Sequence, residues 1–156
     1  MKRLLDLWIC SPVRMSYRLS SGQRSQVSDG VKRLHPFITV EFQRKCRELD
    51  VLSLWKATEF RQFLLYLGPV VLRNIVHPEV YRNFMDLFIA IYVLSHPLFH
   101  IRYNHFALSV LHVFVQDMEL IYGSKELVYN VHNLVHLADD VREHGVLDNF
   151  SAFPFE

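Results

Sequence analysis

At 156 residues, 51% apolar and 13% aromatic, the chain can bury about 70% of its unfolded surface, which excludes global disorder. Its two cysteines, Cys10 and Cys46, lie far apart, which excludes a disulfide scaffold and suits a reducing compartment. The net charge of +1 is unevenly spread. Residues 1–50 carry ten Lys/Arg against five Asp/Glu, and residues 51–156 seven against eleven. The basic first third could contact nucleic-acid phosphates or serve as solvated surface.

Leu4, Leu5, Trp8 and Ile9 form the apolar stripe of a short first helix, which Ser11-Pro12 breaks. The stretch is too short for a signal peptide and Asp6 interrupts it. Residues 20–30 are Ser/Gly-rich, yet Val27, Val31 and Leu34 continue at helical spacing. A helix is expected there, with Ser20 or Ser21 as N-cap and His35-Pro36 at its end. Phe37 to Phe42 is β-branched but has no hairpin partner, so it reads as an extended connector.

Ser53 reads as the N-cap of a helix through Trp55, Phe60, Phe63, Leu64 and Leu67, which Gly68-Pro69 kinks or restarts. Trp55, Lys56, Glu59 and Arg61 form a candidate functional face. The simpler reading of Lys56 and Glu59 is an i, i+3 ion pair on a solvated side. Pro78 suits the first position of the next helix. That helix runs to about Leu94, is apolar nearly all round from Leu87, and is expected to sit centrally. The eight-residue run is far short of the roughly 20 needed to span a bilayer. His96 and His100 follow in a loop, where local hydrogen bonding is expected over metal binding. A helix from about Asn104 to Tyr122 then places Phe106, Ala107, Val110, Leu111, Phe114 and Met118 in the core, and Gly123 caps it.

The last segment, Tyr129 to Glu156, reads as part of a site. Val131, Leu134, Val135, Ala138 and Val141 mark one helical stripe. His132 and His136 sit at i and i+4, a spacing that can hold a metal ion or border the core. Asp140 continues the row, and Gly145 is placed to end the helix. A zincin is excluded, because Asn133 stands where the catalytic Glu would follow the first histidine.

These residues carry a resemblance. The block His132-Asn133-Leu134-Val135-His136, then Asp139-Asp140, Gly145 and Ser151-Ala152-Phe153-Pro154-Phe155-Glu156, resembles the C-terminal part of CACTA (EnSpm)-type DNA transposases and their transposase-derived host relatives. Trp55-Lys56-Ala57-Thr58-Glu59-Phe60-Arg61 with Leu65 to Val70 resembles the middle of the same family. Met1 to Trp8 is similar to the stretch after its second catalytic Asp. A wider similarity reaches the large subunit of the V(D)J recombinase, where a His-containing helix and a Gly turn precede the Glu of an Asp-Asp-Glu metal site.

The resemblance implies Glu156 as the third catalytic carboxylate and a ligand of Mg²⁺, with His132 and His136 as candidate zinc ligands. The chain departs from the recombinase in having no Cys-x-x-Cys to complete a zinc site. The two Asp residues of the family would precede Met1, so a fragment inactive on its own is expected.

The expected fold is all-α: a single domain over 1–156 of five or six packed helices, with a basic, loosely organised part at 1–50 and a helical core at 51–156. It resembles the helical insertion of an RNase H-like transposase. The implied function is that of a piece of a DNA strand-cleaving and strand-transferring enzyme, with DNA and the missing catalytic half as partners. The alternative is a non-enzymatic helical module that binds DNA or protein. A soluble, intracellular protein without membrane contact is expected, nuclear by resemblance, and self-association is compatible with the sequence.

Overall fold

The computed structural model describes residues 1–12, 14–39, 42 and 44–150. Among them every regular element is helical, as expected. Residues pack into two compact units, Met1–Pro78 and Glu79–Glu156.

In the first unit, α1 (Lys2–Cys10) buries Leu4, Leu5, Leu7 and Trp8. At about 100° per residue these four span one side of the helix, and Ile9 falls beyond its edge. Leu7 therefore replaces Ile9 in the expected stripe. The Trp8 carbonyl accepts the Leu19 N–H at 2.7 Å, which returns the chain across the end of α1.

Helix α2 (Ser21–Leu34) forms despite its Ser/Gly content because its start is doubly capped. Ser20 Oγ accepts the Gln23 N–H at 3.2 Å, and Gln23 Oε1 accepts the Ser20 N–H at 2.9 Å. This reciprocal pair satisfies two backbone donors that a helix start leaves open. Gln23 Nε2 also donates to the Ile75 carbonyl at 2.6 Å, so the same side chain ties α2 to a distant turn.

The next helical run is composite. α3 (Ala57–Gln62) passes through a π turn at Phe63–Leu67 into α4 (Gly68–Val71). Pro69 has no N–H, and in a regular helix its ring would crowd the Leu65 carbonyl. The chain widens instead, and the Gly68 N–H reaches back five residues to the Phe63 carbonyl. Gly68-Pro69 thus restarts the helix. The expected N-cap at Ser53 is not formed. Leu49–Leu54 winds as 3₁₀ turns, Trp55 is extended and α3 begins after Lys56.

Gly30 lets α2 meet α4 closely. A Cβ there would lie 3.1 Å from Val71 Cγ1. Gly30→Leu should cost about 1–3 kcal/mol by overpacking. Gly30→Ala should come out near zero, because up to ~1 kcal/mol of helix propensity offsets the crowding. Urea melts of the two variants check this pair of expectations.

The second unit is built on two long helices, α5 (Pro78–Ser95) and α7 (Asn104–Tyr122), with α6 (Phe99–Arg102) between them in sequence. Pro78 opens α5, as expected. Val80, Phe84, Leu87, Ala90 and Leu94 are buried along one stripe, while Tyr92 is exposed. The apolar run of α5 is therefore one-sided, not enclosed all round. On α7, Ala107, Leu111, Phe114 and Met118 are buried as expected, but Phe106 is exposed. Asn83 Nδ2 joins the two long helices by donating to the Phe114 carbonyl at 3.0 Å. Gly123, at φ 95°, ends α7.

The final segment is also composite: α8 (Tyr129–His132), a 3₁₀ stretch at Asn133–His136, α9 (Leu137–His144) and α10 (Leu147–Phe150). Of the expected stripe, Val131, Ala138 and Val141 are buried, while Leu134 and Val135 are half-buried. Asn104, buried at the start of α7, donates its Nδ2 to the Ala138 carbonyl at 2.8 Å and ties this segment down. Gly145, at φ 88°, ends α9 as its pattern implied.

Candidate functional site

The sequence singled out two groups of residues, and the structure treats them differently. The histidine pair lies at the surface. His132 and His136 are both exposed, with ring centroids 6.5 Å apart and planes at 78°. They meet each other edge to face and do not enter the core. Zinc commonly takes four protein ligands in structural sites. Among the described residues no third His, Cys, Asp or Glu joins the pair to make a metal-holding group. Asp139 and Asp140 are exposed on α9, and Glu156 lies outside the described residues. Alanine at both histidines should change stability by less than about 0.5 kcal/mol, as for other surface positions. Thermal melts with and without zinc check it, and a zinc-dependent rise in Tm lost in the double variant would mark the pair as ligands.

His96 lies in the bend after α5, whereas His100 sits on α6 and not in the expected loop, and both make local contacts. His96 Nδ1 accepts the Leu98 N–H at 3.1 Å, and its ring stacks on Phe99 with centroids 4.0 Å apart. His100 Nδ1 lies 3.2 Å from the His96 carbonyl.

The second group is the Trp55–Arg61 block, and here the expected surface ion pair gives way to one whose carboxylate is buried and whose guanidinium is part-exposed. Glu59 is fully buried. Arg47 grips it in two places, Nε to Oε1 at 2.9 Å and Nη2 to Oε2 at 2.8 Å. The Lys56 backbone N–H donates to Oε2 at 2.9 Å. Lys56 therefore contributes its main chain, and the charge partner is Arg47. Arg47 Nη2 also reaches the Leu54 carbonyl. Burial pushes the Glu59 pKa up, but the hydrogen bonds and charge of Arg47 and the Lys56 N–H outweigh it. The carboxyl is held below its ordinary range.

This pair belongs to a wider network around Cys46. The segment Lys45–Glu48 has no regular structure, so its backbone groups need side-chain partners. Gln62 Oε1 accepts the Cys46 N–H at 2.7 Å. His35 Nε2 donates to the Cys46 carbonyl at 2.6 Å. Trp55 Nε1 donates to the Glu48 carbonyl at 3.3 Å, and Ser28 Oγ accepts the Leu49 N–H at 3.2 Å. The Cys46 thiol donates to the Glu59 carbonyl at 2.9 Å. Burial first, and then the Glu59 charge, push this thiol up to about 12. It is a packed donor, not a nucleophile.

The residues that sequence reading missed are thus His35, Cys46, Arg47 and Gln62. A signal for the network exists: Trp55, Glu59, Phe63 and Leu67 stand four apart, which places a carboxylate in an otherwise apolar row. All four are buried. The geometry suits a structural clamp, with every oxygen of Glu59 occupied and no open face for a ligand.

Comparison of the chain with protein-family models, with curated proteins and with solved structures gives no match. No helix among the described residues is long and apolar enough to cross a membrane.

Proposed function

We propose that the chain is a transposase-derived helical module that works on DNA as part of a strand-cleaving and strand-transferring enzyme and does not cleave alone. The observation that carries this reading is the order of its motifs. The MKRLLDLW start, the Trp55–Val70 block, the histidine segment and the Ser151–Glu156 tail follow one another as in the CACTA-type family. The all-helical character of the described residues supports it, since an inserted helical part is what the resemblance implies. In the intact enzyme, divalent ions would supply the clamp on the attacking and leaving oxygens. Glu156 would serve as one hard oxygen ligand. The part proposed for this chain is positioning and DNA contact, in a nuclear setting.

A second reading, a non-enzymatic module that binds protein, draws on exposed apolar side chains: Leu98, Ile101, Tyr103 and Phe106 on and beside α6. The experiment is a titration of the purified chain with labelled duplex DNA, with and without Mg²⁺ or Mn²⁺. The expected result is binding that weakens with salt, with the DNA left intact. Absence of binding at low salt overturns the DNA reading in favour of the second. Glu156→Gln should leave folding and DNA binding unchanged, and a strong loss of stability would assign this residue a structural role instead.

A further inference from the structure

The boundary between the two compact units is also a boundary of charge. Met1–Pro78 holds thirteen Lys/Arg against six Asp/Glu, a net +7, while Glu79–Glu156 holds four against ten, a net −6. The near-neutral whole is therefore two oppositely charged parts. Within the basic unit, folding removes one carboxylate from the surface and pairs another there. Glu59 is buried against Arg47, and Glu48 is paired with Lys32 at 2.9 Å. Lys2, Arg14, Arg33, Arg44 and Arg73 are all exposed. Asp29 and Asp50 are exposed as well, and Asp6 is half-buried, so cations dominate the described surface.

We infer that the DNA contact of this chain is confined to the Met1–Pro78 unit and is made to backbone phosphates, with the acidic unit held off the duplex by like charge. The inference rests on the DNA reading above and goes further in naming the surface. Cationic surfaces of this kind also suit anionic lipid, but a lipid-binding helix needs a free apolar side. The apolar side of α1 is spent on its own core through Leu4, Leu5, Leu7 and Trp8, and that of α2 through Val27 and Val31. A phosphate polymer asks only for the exposed cations. The open groove of about 480 Å³ lined by Gln26, Asp29, Arg33 and Ile75 is a poor centre for an anion, because Asp29 shares it with Arg33. The contact is therefore assigned to the spread of outward cations and not to a pocket.

The test compares two triple variants of the intact chain, each checked for folding by circular dichroism. One is Arg14→Gln, Arg33→Gln, Arg73→Gln in the basic unit. The other is Arg82→Gln, Lys125→Gln, Arg142→Gln in the acidic unit. Affinity for a labelled duplex is measured across a salt series. Each phosphate contact adds about 0.9 to the slope of log K against log salt. The first triple should lower that slope by roughly 2–3 and weaken binding at least ~10-fold at low salt. The second should stay within about twofold, as expected where no phosphate is contacted. Equal losses, or a larger loss in the acidic-unit triple, overturn the inference while the DNA reading stands. An unmodified chain that binds no duplex overturns the DNA reading itself. Binding to phosphatidylserine vesicles without binding to duplex overturns the inference in favour of a lipid surface.

Discussion

Glu59→Ala should lower the stability of the first unit by about 3 kcal/mol, because it removes three hydrogen bonds to a charged, buried acceptor at once. For a unit of this size that corresponds to a fall in Tm of roughly 12–24 °C. Glu59→Gln keeps the shape and one acceptor oxygen and should cost about half as much. Arg47→Met should cost more than Glu59→Gln, since it strands a buried charged carboxylate without its cation. The order of the three variants, read from denaturant melts, separates a clamp from an idle surface pair: an exposed pair would give three small and similar values. The pH dependence follows from the same geometry. The folded carboxyl lies below its unfolded range. Its contribution is therefore fully present above the ordinary Glu pKa and is lost as pH falls through the lower folded value. Glu59→Gln should flatten this acid limb of the stability curve.

Phe114→Ala should be the most damaging change in the second unit, at about 3–5 kcal/mol. Its ring is buried on α7, and its carbonyl accepts the Asn83 bond from α5. The substitution empties the ring's space and leaves the carbonyl in place. Asn83→Ala does the converse, removing the donor, and should cost about 1–3 kcal/mol. The two sites touch, so their effects should not add, and a double-mutant cycle measures the coupling. Additive losses would mean that the bond and the ring act independently.

The fold was legible wherever local chemistry decided it. Ser20 with Gln23 three residues on, Pro78 at a helix start, and Gly123 and Gly145 at helix ends each carry a physical signal in a short window. The all-helical class followed from the same kind of window. Less legible was anything that depended on partners distant in sequence. Glu59 looked like half of a local pair with Lys56 because the residue that claims it, Arg47, sits in a stretch with no periodicity. Cys46 carried no local signal, because only tertiary packing shows that its backbone is served by Gln62 and His35. The exposure of Phe106 and Tyr92 had the same origin. Periodicity shows that two faces are apolar but not which one the neighbouring helix covers. For the histidine segment, the spacing of His132 and His136 was legible, while the 3₁₀ winding between them was not, since the apolar pattern fits either helix.

The two cysteines have a practical consequence. Cys10 is exposed and Cys46 is buried, with a thiol held protonated far above neutral pH. A maleimide dye at neutral pH should therefore label Cys10 alone in the folded chain, with no mutagenesis needed. Reaction at Cys46 would then require the Glu59–Arg47 region to open. Its slow labelling rate becomes a clock for local unfolding of the first unit, read by mass spectrometry in the same sample.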